Sequence, residues 1–125
     1  MTIGEVIDLV DRLKPNGFTT SEKIKWLSDL DATIWSEIYQ THMDLPETGW
    51  EAYNDDTDQD TVLLAYAPYD PVYRWYLEAQ IDLYNMELDK YNNSSALFNS
   101  AYRAFGNAYN REHMPIAPCP PYYHI

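Results

Sequence analysis

The first apolar residues of the chain recur at intervals of three and four, which is the spacing of one face of an α-helix. They follow Thr2, which forms with Glu5 the Thr-x-x-Glu signature of a capping box. The turn-forming residues Pro15, Asn16 and Gly17 then interrupt the pattern. The sequence therefore predicts a first amphipathic helix. Its apolar stripe consists of Ile3, Val6, Ile7, Val10 and Leu13.

A second apolar stripe begins after Thr19, which forms another capping box with Glu22. The stripe continues at helical spacing, and we expect the helix to end near His42. Because only a short turn separates the two helices, they are expected to pack as an antiparallel αα-hairpin. The buried stripe of the second helix is Ile24, Leu27, Leu30, Ile34 and Ile38, widened by Trp26, Trp35 and Tyr39.

Residues 44–69 lose the helical period. Proline, glycine and an acidic run at 54–60 are typical of a loop, while 50–53 and 61–66 are compatible with a small two-stranded β-ribbon. A loop of this length inside a small domain is usually functional or disordered. We therefore predict that residues 44–69 form a contact arm. Its candidate contact residues are Trp50, Tyr53, Asp56, Asp58 and Asp60.

A heptad-like repeat fills the C-terminal half of the chain, after an Asp70-Pro71 pair that is typical of a capped helix start. Apolar and aromatic residues alternate at steps of four and three from there, the period of helices that pack at shallow angles. Residues 92–95 are poor helix-interior residues, which leaves a hairpin open. Because a break would keep the repeat in phase only by chance, one long helix over 71–112, straight or kinked, is favoured.

Together these elements predict a mainly α-helical protein. It is a small helical bundle with an N-terminal αα-hairpin, a long C-terminal helix and an irregular acidic loop. We expect a single domain over residues 1–114 and a Pro-rich, extended tail over 115–125. The 125 residues, with 46% hydrophobic content, suit a chain that folds around one core. Because the apolar runs are short and the first residues lack the pattern of a signal peptide, no membrane partner is expected.

The net charge of −12 argues against the backbone of a nucleic acid as the main partner, because phosphate binding needs clustered Lys and Arg. The charge is also unevenly placed, since no Lys or Arg occurs between Lys25 and Arg74 while acids recur there. This asymmetry predicts one strongly negative surface. Such a surface suits a wall beside sliding DNA or a docking face for a basic partner, and solubility alone is the third explanation.

The candidate metal and catalytic motifs are weak. Asp56, Asp58 and Asp60 have the spacing of a calcium loop, but the required Gly and Glu positions hold Thr61 and Ala67. Neither a Gly-rich phosphate loop nor a nucleophile elbow occurs. The histidines and the single cysteine are far from ligand spacing: His42, His113, His124 and Cys119. We therefore predict no metal, no cofactor and no enzymatic activity, and expect a structural role for the histidines.

The aromatic content points to contacts with other subunits. Twelve Tyr and four Trp form an unusual load, and such residues are enriched at interfaces. At helical spacing they are more often part of the core. However, asparagines recur every seven residues beside the seam, and an amide ladder of this kind predicts hydrogen bonds to a neighbouring subunit. The candidate subunit interface is Tyr84, Asn85, Tyr91, Asn92, Phe98, Asn99 and Tyr102.

Several segments also carry a family resemblance. They are residues 3–30, with Val6-Ile7-Asp8-Leu9-Val10-Asp11 and Lys25-Trp26-Leu27, then 67–70, 76–82, 91–94 and 109–111. In these segments the chain resembles the head–tail connector (adaptor) proteins of tailed bacteriophages and prophages. The resemblance implies a helical-bundle subunit that assembles as a ring under the portal at the capsid vertex. It also implies that the ring extends the DNA channel and docks tail or stopper proteins.

The leading hypothesis is therefore a virion structural protein that is assembled in the cytoplasm of the bacterial host. It would form a homo-oligomeric ring with portal and tail or stopper proteins as partners, and DNA would only pass through its channel. The alternative is a phage or prophage accessory protein that binds a packaging or assembly partner and is not part of the mature particle. A metal-dependent or DNA-processing enzyme is a third hypothesis, which the weak motifs disfavour.

Overall fold

The computed structural model describes residues 1–42 and 49–113. Within these ranges the chain forms four α-helices and a short 3-10 helix. They are α1 (Ile3–Leu13), α2 (Thr20–Glu37), the 3-10 helix (Tyr39–Thr41), α3 (Pro71–Tyr84) and α4 (Leu88–Glu112). The prediction of a mainly α-helical bundle is confirmed. The predicted tail at 115–125, the start of the contact arm at 44–48, Cys119 and His124 lie outside the described residues.

Both predicted capping boxes are present. The hydroxyl of Thr2 accepts a hydrogen bond from the N–H of Glu5 (3.2 Å), and the Glu5 carboxylate accepts one from the N–H of Thr2 (3.0 Å). Thr19 and Glu22 form the same pair at 3.1 and 3.4 Å. Each box satisfies two backbone donors at the helix start. α1 and α2 therefore begin where the sequence indicates.

The start of α3 is predicted correctly at Pro71, but the role of Asp70 as a side-chain cap is wrong. The backbone of Asp70 is already helical (φ −65°, ψ −16°), whereas a side-chain cap requires an extended backbone. Its carboxylate lies 3.6 Å from the amino group of Met1 instead. Asp70 thus connects the start of α3 to the start of the chain.

The predicted single helix over 71–112 is wrong. α3 ends at Tyr84, α4 begins at Leu88, and the two helices pack against each other along their length as a hairpin. The break therefore occurs before residues 92–95, which lie inside α4. A turn of three residues reverses the chain and happens to preserve the heptad phase.

A Schellman motif causes this break. The N–H of Met86 donates to the carbonyl of Leu83 (3.0 Å), and the N–H of Glu87 donates to the carbonyl of Asp82 (2.9 Å). Met86 takes the left-handed conformation, with φ +58°, in which glycine or asparagine is the usual residue. Because a methionine occupies this position, the sequence contains no glycine to mark the end of α3.

The β-ribbon between 50–53 and 61–66 does not form. Residues 61–63 pair instead with the start of the chain, where the N–H of Leu63 donates to the carbonyl of Met1 (3.0 Å). The N–H of Tyr53 is bonded to the hydroxyl of Ser28 on α2 (3.0 Å), which withdraws it from a β-ladder. The two segments therefore form hydrogen bonds to α2 and to the chain start, and not to each other as the ribbon would require.

The core draws large side chains from every α-helix, and each contributes roughly 1.5–3 kcal/mol through burial. Its fully buried members include Ile3, Leu27, Ile34, Tyr73, Leu77, Ile81 and Phe105. α3 lies centrally, because it packs against α1, α2 and α4, whereas the backbones of α2 and α4 do not approach each other. None of the helices in the described ranges is both long and apolar enough to cross a membrane.

An ion pair joins α1 to the α3–α4 hairpin. The ammonium group of Lys14 lies 2.6 and 2.7 Å from the two carboxylate oxygens of Asp82, which is only 1% exposed, and 3.8 Å from Glu78. The hydroxyl of Ser94 on α4 donates to the same Asp82 carboxylate (2.9 Å). Ser94 is therefore buried as a partner of Asp82 and does not interrupt α4.

We predict that Met86→Gly stabilises the protein by about 0.5–1 kcal/mol. Glycine removes the left-handed strain, and little packing is lost because Met86 is 81% exposed. The matched control is Leu83→Gly in the last turn of α3, which should destabilise by about 1 kcal/mol. Urea denaturation measures both free energies of unfolding. Equal destabilisation by the two glycines would contradict the assigned conformation of Met86.

Candidate assembly surfaces

A buried carboxyl group on α2 organises the segment that follows residue 49. Asp31 is 0% exposed, and its side chain accepts hydrogen bonds from the hydroxyls of Tyr53 and Tyr73 (both 2.6 Å) and from the N–H of Leu64 (3.2 Å). The Tyr73 hydroxyl in turn accepts a hydrogen bond from the N–H of Ala65 (2.6 Å). We call these five residues the Asp31 node. It connects α2, α3 and the segment between them.

The electrostatics of the Asp31 node are those of a structural site. Burial raises the pKa of Asp31, and the hydrogen bonds from Tyr53, Tyr73 and Leu64 oppose that rise. Burial and the Asp31 charge raise the pKa values of Tyr53 and Tyr73, so both hydroxyls stay protonated and act as donors. No Lys or Arg of the described ranges forms an ion pair with Asp31. The node therefore depends on hydrogen bonds.

Asp31 is the important residue that sequence reasoning missed. It lies four residues after Leu27 and three before Ile34, in phase with the buried stripe of α2. A carboxylate on an apolar helix face needs a buried partner. The position of Asp31 in the apolar stripe is the one feature of the sequence that indicates a buried carboxyl group. Nothing in the sequence identifies the tyrosines as its partners.

Residues 54–60, which we call the acidic loop, are folded by their own hydrogen bonds. The N–H of Asp56 donates to the side chain of Asn54 (2.8 Å), and the N–H of Asn54 donates to the Thr57 hydroxyl (2.8 Å). The N–H of Asp60 donates to the Asp58 carboxylate (2.9 Å). These turns fix the loop with its acids exposed. It is a preformed, negatively charged projection.

The five predicted contact residues divide into two groups. Trp50 and Tyr53 are half-buried anchors, since the indole N–H of Trp50 donates to the Tyr53 hydroxyl (3.1 Å), which itself donates to Asp31. Asp56, Asp58 and Asp60 are exposed on the acidic loop. In the described part of the chain, no group of three His, Cys, Asp or Glu residues is placed to hold a metal ion.

A groove lies between α2 and α4, because the backbones of both helices pack on α3 and do not approach each other. It consists of two adjoining cavities of about 280 and 440 Å³ that share Glu37, Asn99 and Tyr102. The Tyr102 hydroxyl donates to the Glu37 carboxylate across it (2.7 Å). We call it the α2–α4 groove. Its other lining residues are Leu30, Thr33, Ile38, Tyr76, Phe98, Arg103, Gly106, Asn107 and Asn110.

The structure brings three of the predicted interface residues together in this groove. Phe98 and Tyr102 are half-buried, with ring centroids 5.6 Å apart, and Asn99 is exposed beside them. Asn92 is exposed two turns earlier on α4, while Tyr91 is half-buried. The C-terminal part of the predicted interface is therefore a real concave surface.

The remaining two predicted interface residues belong to α3. Asn85 is the C-cap of α3, so it cannot continue a ladder with the asparagines of α4. The ring of Tyr84 stacks on that of Trp26 (5.6 Å between centroids) and meets Phe18 edge to face. The three-asparagine ladder is therefore wrong, because the turn at 85–87 places its first member on another helix.

Two histidines close the end of the bundle. His42 is buried, its Nε2 lies 2.7 Å from the side-chain oxygen of Asn110, and its ring meets Tyr109 edge to face. His113, the C-cap of α4, stacks on Tyr109 and its Nδ1 lies 3.2 Å from the Tyr109 carbonyl. His42 therefore connects the segment after α2 to the end of α4, and His113 packs on the last turn of its own helix.

Comparison of the chain with protein-family models, with curated proteins and with solved structures gives no match. The two surfaces described above, the acidic loop and the α2–α4 groove, are therefore interpreted from their own geometry and charge.

We predict that Asp31→Asn lowers the free energy of unfolding by about 1–3 kcal/mol, because an amide NH₂ faces groups that now donate to a carboxyl oxygen. Urea denaturation at neutral pH measures the loss. The control is Asp29→Asn on the same helix, where an exposed pair with Lys25 at 3.9 Å contributes little. A loss no larger than that of the control would contradict the role of Asp31.

Comparing the parent protein with Asp31→Asn also gives a pH-dependent prediction. Because burial raises the pKa of Asp31 above its ordinary value of 3.8, the folded state favours the protonated group. Its contribution to stability is therefore fully present below pH 3.8 and decreases as the pH rises through the folded pKa. Asp31→Asn should cost more under mildly acidic than under neutral conditions. A cost that grows toward neutral pH would contradict this sign.

Proposed function

We propose that this chain is a structural subunit of the head–tail connector class, not an enzyme. It forms a homo-oligomeric ring below the portal of a tailed phage or prophage and docks tail or stopper proteins. DNA passes through the ring as a strand in transit. Assembly takes place in the cytoplasm of the bacterial host, and the subunit remains in the virion.

The observation that carries this proposal is the pairing of a preformed acidic loop with an open α2–α4 groove on one small bundle. A ring subunit needs two different surfaces, since head-to-tail contacts use one patch on each side. The Asp31 node anchors the segment from which the loop projects, and α3 keeps the groove open. The resemblance to connector proteins supports the same class of function.

The charge distribution supports the role of DNA as a passing strand. With a net charge of −12 and an exposed acidic loop, the protein repels phosphate groups. A surface of this kind allows DNA to slide, whereas a basic surface would retain it. The same charge is compatible with docking of basic segments from portal or tail proteins.

Deleting the gene from its phage or prophage should abolish infectious particles and leave heads that do not join tails. The measurement is electron microscopy of particles together with peptide mass spectrometry of purified virions. A plasmid copy of the gene is the control and should restore tailed particles. Tailed, infectious particles without the protein would contradict the proposal. Detection of the protein in assembly intermediates but not in virions would instead favour the accessory-protein alternative.

A further inference from the structure

Most basic side chains of the described residues are already paired with an acid. Five of the lysine and arginine side chains form ion pairs: Lys14, Lys23, Lys25, Arg74 and Lys90. Within residues 1–42 and 49–113, no acid lies at ion-pair distance from Arg12, Arg103 or Arg111. Arg103 lines the α2–α4 groove, and Arg111 follows two turns later on the same row of α4.

The acidic loop is the complementary surface. Asp55, Asp56, Asp58 and Asp60 are exposed, and none forms an ion pair with a described Lys or Arg. The hydrogen bonds inside the loop hold these carboxylates in place before any partner arrives. A preformed loop loses little conformational entropy on docking, which favours binding.

The loop and the groove of one molecule lie on different faces of α2. Lys25 and Ser28 line the cavity beside the acidic loop, whereas Thr33 and Glu37 line the groove. At roughly 100° per residue, these pairs point in different directions from the helix axis. The Asp31 node also holds the loop segment in its place. The acidic loop can therefore meet a groove of this kind only on another molecule.

We infer that the acidic loop of one copy docks into the α2–α4 groove of the next copy. The carboxylates of the loop approach Arg103 in the groove and Arg111 beyond its end, and the amides of Asn99 and Asn107 supply further donors. The Glu37 carboxylate of the groove already accepts a hydrogen bond from the Tyr102 hydroxyl. This head-to-tail contact deepens the proposed function and rests on it. Because the patch and its partner are different surfaces, repeated docking is head-to-tail and generates a ring where the rotation between successive copies closes.

The contact depends on a few charges in a protein whose copies repel each other overall. Added salt should therefore have two opposing effects on association. It weakens the local attraction by screening, and it also weakens the general repulsion between copies. Charge exchange at fixed ionic strength avoids this ambiguity. Exchanging one acid and one base changes the local pairing but leaves the net charge of the double variant equal to that of the parent.

The test measures self-association of the purified full chain by sedimentation velocity over a range of concentrations. Asp56→Lys alters the loop and Arg103→Glu alters the groove. Each should weaken association by at least roughly tenfold, equivalent to about 1.4 kcal/mol. The double variant, which exchanges the two charges, should recover association. Asp89→Lys and Arg12→Glu are matched controls, because they change exposed charges away from both surfaces by the same amounts.

The outcomes separate this inference from the proposed function. Loss in both single variants, recovery in the double variant and unchanged controls support docking of the loop in the groove. Association of all variants at the level of the parent overturns the docking and leaves a ring with another interface. A parent chain that stays monomeric at all concentrations overturns the docking and counts against the ring subunit as well.

Discussion

The carboxyl group of Asp31 is the interaction on which the rest of the structure depends. It forms no ion pair with a Lys or Arg of residues 1–42 and 49–113, so its three hydrogen bonds from Tyr53, Tyr73 and Leu64 must offset the loss of water. Bonds to a charged group contribute about 1.5–3 kcal/mol each. Because the donors come from α3 and from the segment before it, one side chain of α2 fixes how these parts of the bundle meet.

Two surfaces follow from this arrangement. The Asp31 node and the pairing of residues 61–63 with the chain start hold both ends of the acidic loop, so the loop projects from a fixed base. α4 packs along α3, and its backbone does not approach that of α2, which leaves the α2–α4 groove between their side chains. The features proposed for assembly are thus consequences of how the core is connected.

What could be predicted from the sequence is what local chemistry determines. The capping boxes at Thr2 and Thr19 and the apolar stripes of α1 and α2 act within a few residues of themselves, and both helices start as expected. The end of α3 could not be read in this way, because Met86 takes a conformation that methionine rarely adopts. The heptad repeat continued across the turn and concealed it.

The candidate surfaces were predictable only in part, for the same reason. The acids of the loop are visible in the sequence, but the inward roles of Trp50 and Tyr53 require a partner on α2 that is distant along the chain. Likewise Phe98, Asn99 and Tyr102 form a groove only because α4 turns back on α3. Amide hydrogen exchange at Tyr53, Leu64 and Ala65 tests the central claim most directly, since their N–H groups bond to side chains of α2 and α3. The account predicts protection near that of the core helices; exchange as fast as in the exposed acidic loop would contradict it.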